Sequence, residues 1–261
     1  MRSARAARSS RGEPAALVLL RHGESTANAA GRFAGRWDVG LTEHGVAQAN
    51  AAADLLLHHG LPPDVVLTSP LQRASRTAEL IRVRMGRAPA LVLRCPELSE
   101  RAYGALTGRR KAEISRVFGA ELTHCWRRSL TGLPPAASTV DPLLWDPMDV
   151  LTPDAQEAAE HRESLLEVIG RVRGWCGQVL QPRLIAGHRV LVVAHGNSLR
   201  ALVALLDGLE AADVAALNIP TGHPIRYAVS LAGEPIPRSG RYLDPETADR
   251  ATLALRREGG T

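Results

Sequence analysis

The chain has 261 residues, enough for one large domain or two small ones with a sizeable core. Hydrophobic residues make up 45% of it, but no apolar run approaches the roughly 18 residues of a membrane-crossing helix, so no membrane partner is expected. The formal charge of +5 favours anionic partners; with aromatics at 3% and the arginines scattered, those partners are expected to be phosphorylated metabolites and not nucleic acid.

The basic residues are lopsided. Thirty-one arginines stand against a single lysine, Lys111, and asparagine occurs only at Asn28, Asn50, Asn197 and Asn218. Cys95, Cys125 and Cys176 are odd in number and far apart. They show neither a disulfide framework nor metal-ligand spacing, which points to a reducing cytoplasm and to no metal.

In chain order, residues 1–14 carry four arginines and no apolar signal core, and read as a disordered N-terminal extension. Ala16–Leu20 is a short buried strand, followed by a glycine-rich loop over Arg21–Leu41. Thr42 is placed to cap a helix that runs to Leu57 and ends before Gly60, Pro62 and Pro63. Val65–Thr68 is a second strand, and Ser69-Pro70 opens a helix to about Met85. Ala90–Arg94 is a third strand, Pro96–Gly108 a loop, and Arg110 to about Leu130 mostly helix. Gly132–Pro153 holds five prolines around Trp145 and reads as a lid or insertion. Glu157–Leu180 is helical by periodicity, Val190–Ala194 is a strand of parallel-core type, Ser198–Leu206 a helix, and Pro224–Ser230 a late strand. Gly240–Thr261 is polar and reads as a mobile tail. Alternating strands and helices predict an α/β three-layer sandwich, with a mostly parallel central sheet flanked by helices. The expected organisation is a catalytic domain over residues 15–235 and a C-terminal tail over 236–261.

Two strand ends look alike. "LVLLRHGES" sets His22-Gly23 after the first strand, and "VLVVAHGNS" sets His195-Gly196 after a later one. Ligands in open parallel sheets sit beyond the carboxyl ends of strands, so the two histidines are expected to share a pocket. Neutral imidazole is a good nucleophile near pH 7, and the phosphoramidate it forms is easily broken. A phosphoryl group in transfer needs fixed cations, and Arg21 beside His22 and Arg73 in "TSPLQRASRT" are placed to supply them.

With these residues in hand, the sequence resembles the cofactor-dependent phosphoglycerate mutases of the histidine phosphatase superfamily from about Leu17 to Tyr227. The resemblance is carried by "LLRHGES" with Asn28, "TSPLQRA", "LSERAYGAL", "CWRRS", "AHGNSLRALV" and "LNIPTGHPIRY". It implies an isomerase of glycolysis and gluconeogenesis that interconverts 2- and 3-phosphoglycerate, small phosphorylated three-carbon acids. His22 would be the phosphorylated nucleophile, primed by 2,3-bisphosphoglycerate without a metal. Arg21, Arg73 and His195 would surround the phosphoryl group, and Glu100, rather than Glu97, would carry the proton. Gly23, Glu24, Ser25, Asn28, Gly35, Arg101, Tyr103, Lys111, Arg127, Arg128, Gly196 and Asn197 match substrate-binding positions. The resemblance also implies a homo-oligomer, dimer or tetramer. A histidine-type phosphatase, or a paralogue acting on another phosphorylated metabolite, is the alternative. Its motive is Ala34, which stands at a substrate-binding position where the family usually has a threonine. Ala27, Ala102 and Asp38-Val39-Gly40 also depart from the family's pattern.

Overall fold

Six strands form one sheet in the order β3-β2-β4-β1-β5-β6: β1 (Ala16–Arg21), β2 (Val65–Thr68), β3 (Leu91–Arg94), β4 (Arg189–Ala194), β5 (Ile225–Tyr227) and β6 (Arg241–Tyr242). In this computed structural model residues 15–86, 91–141, 144–145 and 150–257 are described. The first four strands in sheet order are parallel, whereas β5 and β6 run antiparallel at one side. β1 and β4 lie in the middle, covered on both faces, which is why their sequences are apolar throughout rather than alternating.

The helices are α1 (Thr26–Ala29), α2 (Glu43–His58), α3 (Gln72–Arg84), α4 (Lys111–Phe118), α5 (Ala120–Arg128), α6 (Pro153–Ala158), α7 (Leu165–Trp175), α8 (Gln181–Ile185), α9 (Gly196–Asp207), α10 (Ala211–Ala216) and α11 (Pro245–Arg257). Alternate residues of the central strands separate two cores. Val18, Leu20, Val66, Leu191 and Val193 pack on Ala52, Leu56, Ala74, Ala78 and Ile81 of α2 and α3. Leu17, Leu19, Val190 and Val192 pack on Leu165, Val168 and Val172 of α7 and on Leu199 and Leu202 of α9. The chain therefore leaves the neighbouring strands β1 and β4 toward opposite faces. That divergence opens a crevice at their carboxyl ends. A third, smaller cluster joins Phe33, Tyr103, Leu106, Ile114 and Trp126 and supports the loops around the crevice. Among the described residues, no helix is long and apolar enough to cross a membrane.

The elements follow the predicted order, with differences that have local causes. The loop after β1 contains the short helix α1, because Ser25 and Asn28 cap each other's backbone. Thr42 caps α2 as expected, its side chain accepting from Gly45 N. The helix predicted from Ser69 begins at Gln72, because Ser69 Oγ accepts from Leu71 N and holds the chain in a turn. The segment 110–130 is mostly helix as expected, in two helices separated at Gly119, whose φ of 83° lies in the left-handed region. The continuous helix expected over Glu157–Leu180 is wrong. Ser164 and Glu167 form a capping box that starts α7 afresh, and α7 runs on through a π turn over Cys176–Leu180 into α8. α8 and α10 have no counterpart in the predicted elements. The late strand is shorter than predicted, at three residues.

The tail reading is corrected more substantially. Residues 241–242 pair with β5 as the sixth strand, and α11 follows, so the folded unit continues well past residue 235. Apolar residues on α11 are spaced to make one face, with Ala248 buried, and the polar composition of the segment masked it. The N-terminal extension 1–14 lies outside the described residues, as do 87–90, 258–261 and parts of the proline-rich segment.

Candidate active site

His22 follows β1 directly, and its N–H donates to the carbonyl of Ala194, the last residue of β4. The two strand ends are thereby tied together, and the His22 and His195 rings stand 4.9 Å apart at 60°. Gly23 is needed for a packing reason. A Cβ there would come within 2.2 Å of the Gly45 carbonyl at the start of α2, and a Cβ on Gly45 would come within 2.0 Å of the Glu24 carbonyl. Backbone rests on backbone, so the turn after His22 has one position.

The chemistry of His22 follows from its contacts. Its Nδ1 lies 2.7 Å from the Gly23 carbonyl. A carbonyl can only accept, so Nδ1 carries the proton and Nε2 keeps the lone pair. Burial, followed by the positive charges of Arg73 and Arg21, holds the imidazole well below its usual titration range. Near pH 7 the ring is neutral, and Nε2 is the nitrogen with a lone pair to offer. His195 is also pushed well below the usual range, by burial first and then by Arg73, His22, Arg21 and Arg171. Both of its ring nitrogens are buried without a hydrogen-bond partner. A buried donor is costly to leave unmet; the neutral ring has one N–H to give, and an oxyanion held beside the two rings would accept from it.

Two arginines flank the pair. Arg21 Nη1 donates to the Ile219 carbonyl at 2.8 Å. Arg73 donates to the carbonyls of Gly35 (2.8 Å) and Trp37 (2.9 Å). Its guanidinium is lowered to about 10 by burial, against the opposing pull of Glu100 and Asp38. Asp38 Oδ1 accepts from Gln72 N, the first residue of α3, so the altered segment at Asp38 caps the helix that carries Arg73.

Glu100 completes this side. Its carboxylate accepts from Arg101 N at 2.7 Å and from Asn197 N at 3.2 Å, the latter in the first turn of α9. Glu97 is solvent-exposed, whereas Glu100 is buried and faces the crevice.

Most of these groups meet at a cavity open to solvent, with about 470 Å³ of space including its mouth. Of the expected residues, Arg21, His22, Asn28, Ala34, Gly35, Arg73, Glu100, Tyr103, Lys111, Arg127 and Asn197 line it. The others stand elsewhere for identifiable reasons. His195 lies behind the His22 ring, and Gly23 packs on α2. Glu24 borders a neighbouring cavity that shares Arg21, Asn28 and Lys111 and is closed by Ala251, Ala254 and Leu255 of α11. Ser25 is spent on capping α1, and Gly196 starts α9. Arg101 is fully buried, with its guanidinium 4.7 Å from the centre of the Tyr103 ring and a bond to the Trp126 carbonyl. Ala102 is buried against Glu163. Arg128 donates to Asn218 Oδ1 at 2.6 Å, and burial together with Arg127 lowers its pKa.

Two lining residues, Arg32 and Phe33, were missed by the sequence reading. Their signal was present: an arginine beside one of only two phenylalanines, inside the glycine-rich loop that follows His22. The Arg127 guanidinium lies 5.7 Å from the centre of the Phe33 ring. Five basic side chains thus line the cavity against one carboxylate, a balance suited to a ligand with several negative charges.

Residues 17–144 and 144–228 match the family model of the histidine phosphatase superfamily, branch 1. The chain belongs to the histidine phosphatase superfamily. Within the superfamily it groups with curated relatives named 2,3-bisphosphoglycerate-dependent phosphoglycerate mutase. The protein of that name from Clavibacter michiganensis subsp. michiganensis is 44% identical, covering 95% of this chain and 98% of the relative. The one from Rhodococcus opacus is 43% identical, covering 94% and 96%. Among solved structures, a mycobacterial glucosyl-3-phosphoglycerate phosphatase in complex with VO3 superposes with a TM-score of 0.62 at 27% identity, covering 87% of this chain and 96% of that one. A structure described as mycobacterial hydrolase 1 gives a TM-score of 0.64 at 26% identity, covering 88% and 97%. This member of the superfamily therefore shares its fold with phosphatases and most of its sequence length with mutases.

Proposed function

We propose that the chain is a phosphoglycerate mutase that interconverts 3-phosphoglycerate and 2-phosphoglycerate through a phosphohistidine at His22. The observation that carries the reading is a neutral His22 with Nε2 as its attacking atom, set against His195, Arg21, Arg73 and Glu100 in a cavity rich in cations. The curated relatives support the choice of substrate.

The cavity suits 2,3-bisphosphoglycerate: five cationic side chains line it, and the His195 ring beside His22 has one N–H to add, a set that would hold a ligand with two phosphates and a carboxylate. When bound, it supplies the phosphoryl group that primes His22. His22 Nε2 attacks the phosphorus in line with the ester oxygen, while Arg21, Arg73 and His195 take up the charge on the equatorial oxygens. Glu100 protonates the departing ester oxygen. In the other direction its carboxylate takes the proton of the attacking hydroxyl. His22 gives its phosphoryl group to the free hydroxyl of a monophosphate. It then takes the other phosphoryl group once the acid has turned end for end.

Among the described residues, no group of three or more histidine, cysteine, aspartate or glutamate side chains could hold a metal ion. We expect activity to survive a chelator and to collapse without the bisphosphate primer. We also read the enzyme as a cytoplasmic homo-oligomer. The deciding experiment is incubation with 3-phosphoglycerate and trace primer: 2-phosphoglycerate is expected, and free phosphate alone overturns the reading in favour of a phosphatase. Ala34 on the cavity wall, with no hydroxyl to hold the ligand, is the observation that favours that second outcome.

A further inference from the structure

The segment that carries Glu100 has one short 3₁₀ turn, Pro96–Leu98, and otherwise no regular structure of its own. Its shape comes from a distant part of the chain. Glu163 N donates to the Ala102 carbonyl at 3.0 Å, and Glu163 Oε2 accepts from Ala102 N at 3.0 Å. Both backbone groups of the residue two beyond Glu100 are thus taken by one side chain and its own amide. Glu163 Oε1 accepts from Arg171 Nε at 3.1 Å and from Arg36 Nη2 at 3.0 Å. Arg171, on α7, then turns its other nitrogens to the same segment: Nη1 to the Glu97 carbonyl, and Nη2 to those of Ser99 (2.9 Å) and Glu100 (3.4 Å). One guanidinium gathers three carbonyls that end at Glu100. Arg36 extends the network to the loop whose Gly35 carbonyl supports Arg73. Neither Glu163 nor Arg171 lines the cavity, and their side chains are only 14% and 18% exposed.

We propose that Glu163 and Arg171 are positioning residues that fix where the Glu100 carboxyl stands against the phosphoryl group. This rests on the reading of Glu100 as proton carrier. The carboxyl is held by the amides of Arg101 and Asn197, and Arg101 N is correctly placed only while the 97–102 backbone is. A shift of about 1 Å in a catalytic group costs up to roughly 10²-fold in rate. The planar fork of arginine is what allows one side chain to serve three carbonyls and a carboxylate. A lysine, a point charge on a flexible stem, reproduces this only in part.

The test uses the leaving group. Glu100 must protonate an alkoxide leaving from an alkyl phosphate, but p-nitrophenolate departs without a proton. Single-turnover phosphorylation of His22 by 2,3-bisphosphoglycerate and by p-nitrophenyl phosphate is measured on the full chain, by intact mass and by nitrophenolate release. Glu100→Gln sets the reference pattern: loss of about 10²–10⁴-fold with the bisphosphate, and a change within about threefold with the aryl ester. Arg171→Met and Glu163→Gln are expected to follow the same pattern at about 10–10²-fold, with Arg171→Lys between them and wild type. In steady-state mutase assays their kcat falls while KM stays within about threefold. Equal loss with both donors, or loss with neither, overturns the proposal. If Arg171→Met does not fold, Glu163→Gln decides, since glutamine keeps the shape and an oxygen for Ala102 N. Where only the bisphosphate labels the wild type, the kcat-against-KM split decides. Wild-type protein labelled by neither donor overturns the phosphohistidine reading itself, and this is seen before any variant is compared.

Discussion

His22 and His195 stand one residue beyond β1 and β4, whereas Glu100, Lys111 and Arg127 come from loops and helix ends some distance from any strand. The first pair inherits its position from a sheet register in which Leu17 to Arg21 face Val190 to Ala194 residue for residue. Glu100 and Arg127 owe their position to guanidinium–carbonyl bonds between parts of the chain far apart in sequence, and Lys111 is tied by its amide to the Gly31 carbonyl. Arg200 on α9 is the clearest case. It is fully buried and, among the described residues, forms no ion pair, donating instead to the carbonyls of Val214, Arg127 and Arg128 and to Asn197 Oδ1. Burial and the nearby Arg128 lower its pKa to about 9. One wall of the cavity is therefore aimed by strands, and the other is assembled from loops and helix ends held by arginines, Arg171 and Arg200, that do not line it.

The two walls respond differently to mutation. On the strand-aimed wall, His22→Asn fills nearly the same space but removes Nε2. No acid-labile phosphoenzyme is expected by mass spectrometry, and mutase turnover should fall at least about 10⁴-fold with little loss of fold. On the assembled wall, Arg200→Met should act chiefly on stability. It leaves buried carbonyls unmet at a cost of about 2–5 kcal/mol, read from the denaturant midpoint, and it raises KM by freeing Arg127. An Arg200→Met protein of wild-type stability would show that the assembled wall does not depend on its buried arginine.

A smaller effect is tied to pH. His22 and His195 are held neutral in the folded protein but take up protons near pH 6.5 when unfolded. The unfolded state thus binds more protons below 6.5. Stability is full above that value, falls as the pH drops through it toward the depressed folded values, and then levels. The slope is at most about 1.4 kcal/mol per pH unit for each histidine. Thermal melts should show the fall, and a His22→Asn, His195→Asn double variant should flatten it. An unchanged acid limb in that variant would assign the effect to carboxylates instead. The smallest change expected is Ala34→Thr. A hydroxyl restored to the cavity wall adds one bond to a charged ligand, about 1.5 kcal/mol, and should lower KM by roughly tenfold with kcat nearly constant.

The same division governed what could be read before the fold was known. A His-Gly after an apolar run is a local pattern, so β1, β4 and both histidines were legible, as was Arg73 one turn into a helix after a strand. Matching to a known family then supplied Glu100, Lys111 and the arginine pair. Neither route could tell cavity from scaffold among the arginines. Arg101 and Arg128, expected at the ligand, stand outside the cavity lining against Tyr103 and Asn218, while Arg32 was overlooked. Glu163 and Arg171 drew no notice, because a carboxylate and a guanidinium on an amphipathic segment look like surface charge until the loop they hold is seen. The missed break before α7 and the misread C-terminal segment share a cause: composition and periodicity register a helix face, but not the single capping residue or the strand pairing that sets its limits.

Lys111, at the start of α4, lines both cavities, and in a chain of arginines it provides the one side-chain primary amine. A reagent that modifies amines and spares guanidinium groups has one side-chain target, and that target lines the cavity proposed to take the phosphate ester. Acylation at Lys111, read by peptide mass so that it is told apart from the more reactive α-amine, is expected to slow as the fraction of protein carrying a bound phosphate ester rises. A composition with one lysine among thirty-one arginines thus makes a single side chain a reporter that can be read against occupancy of the proposed site.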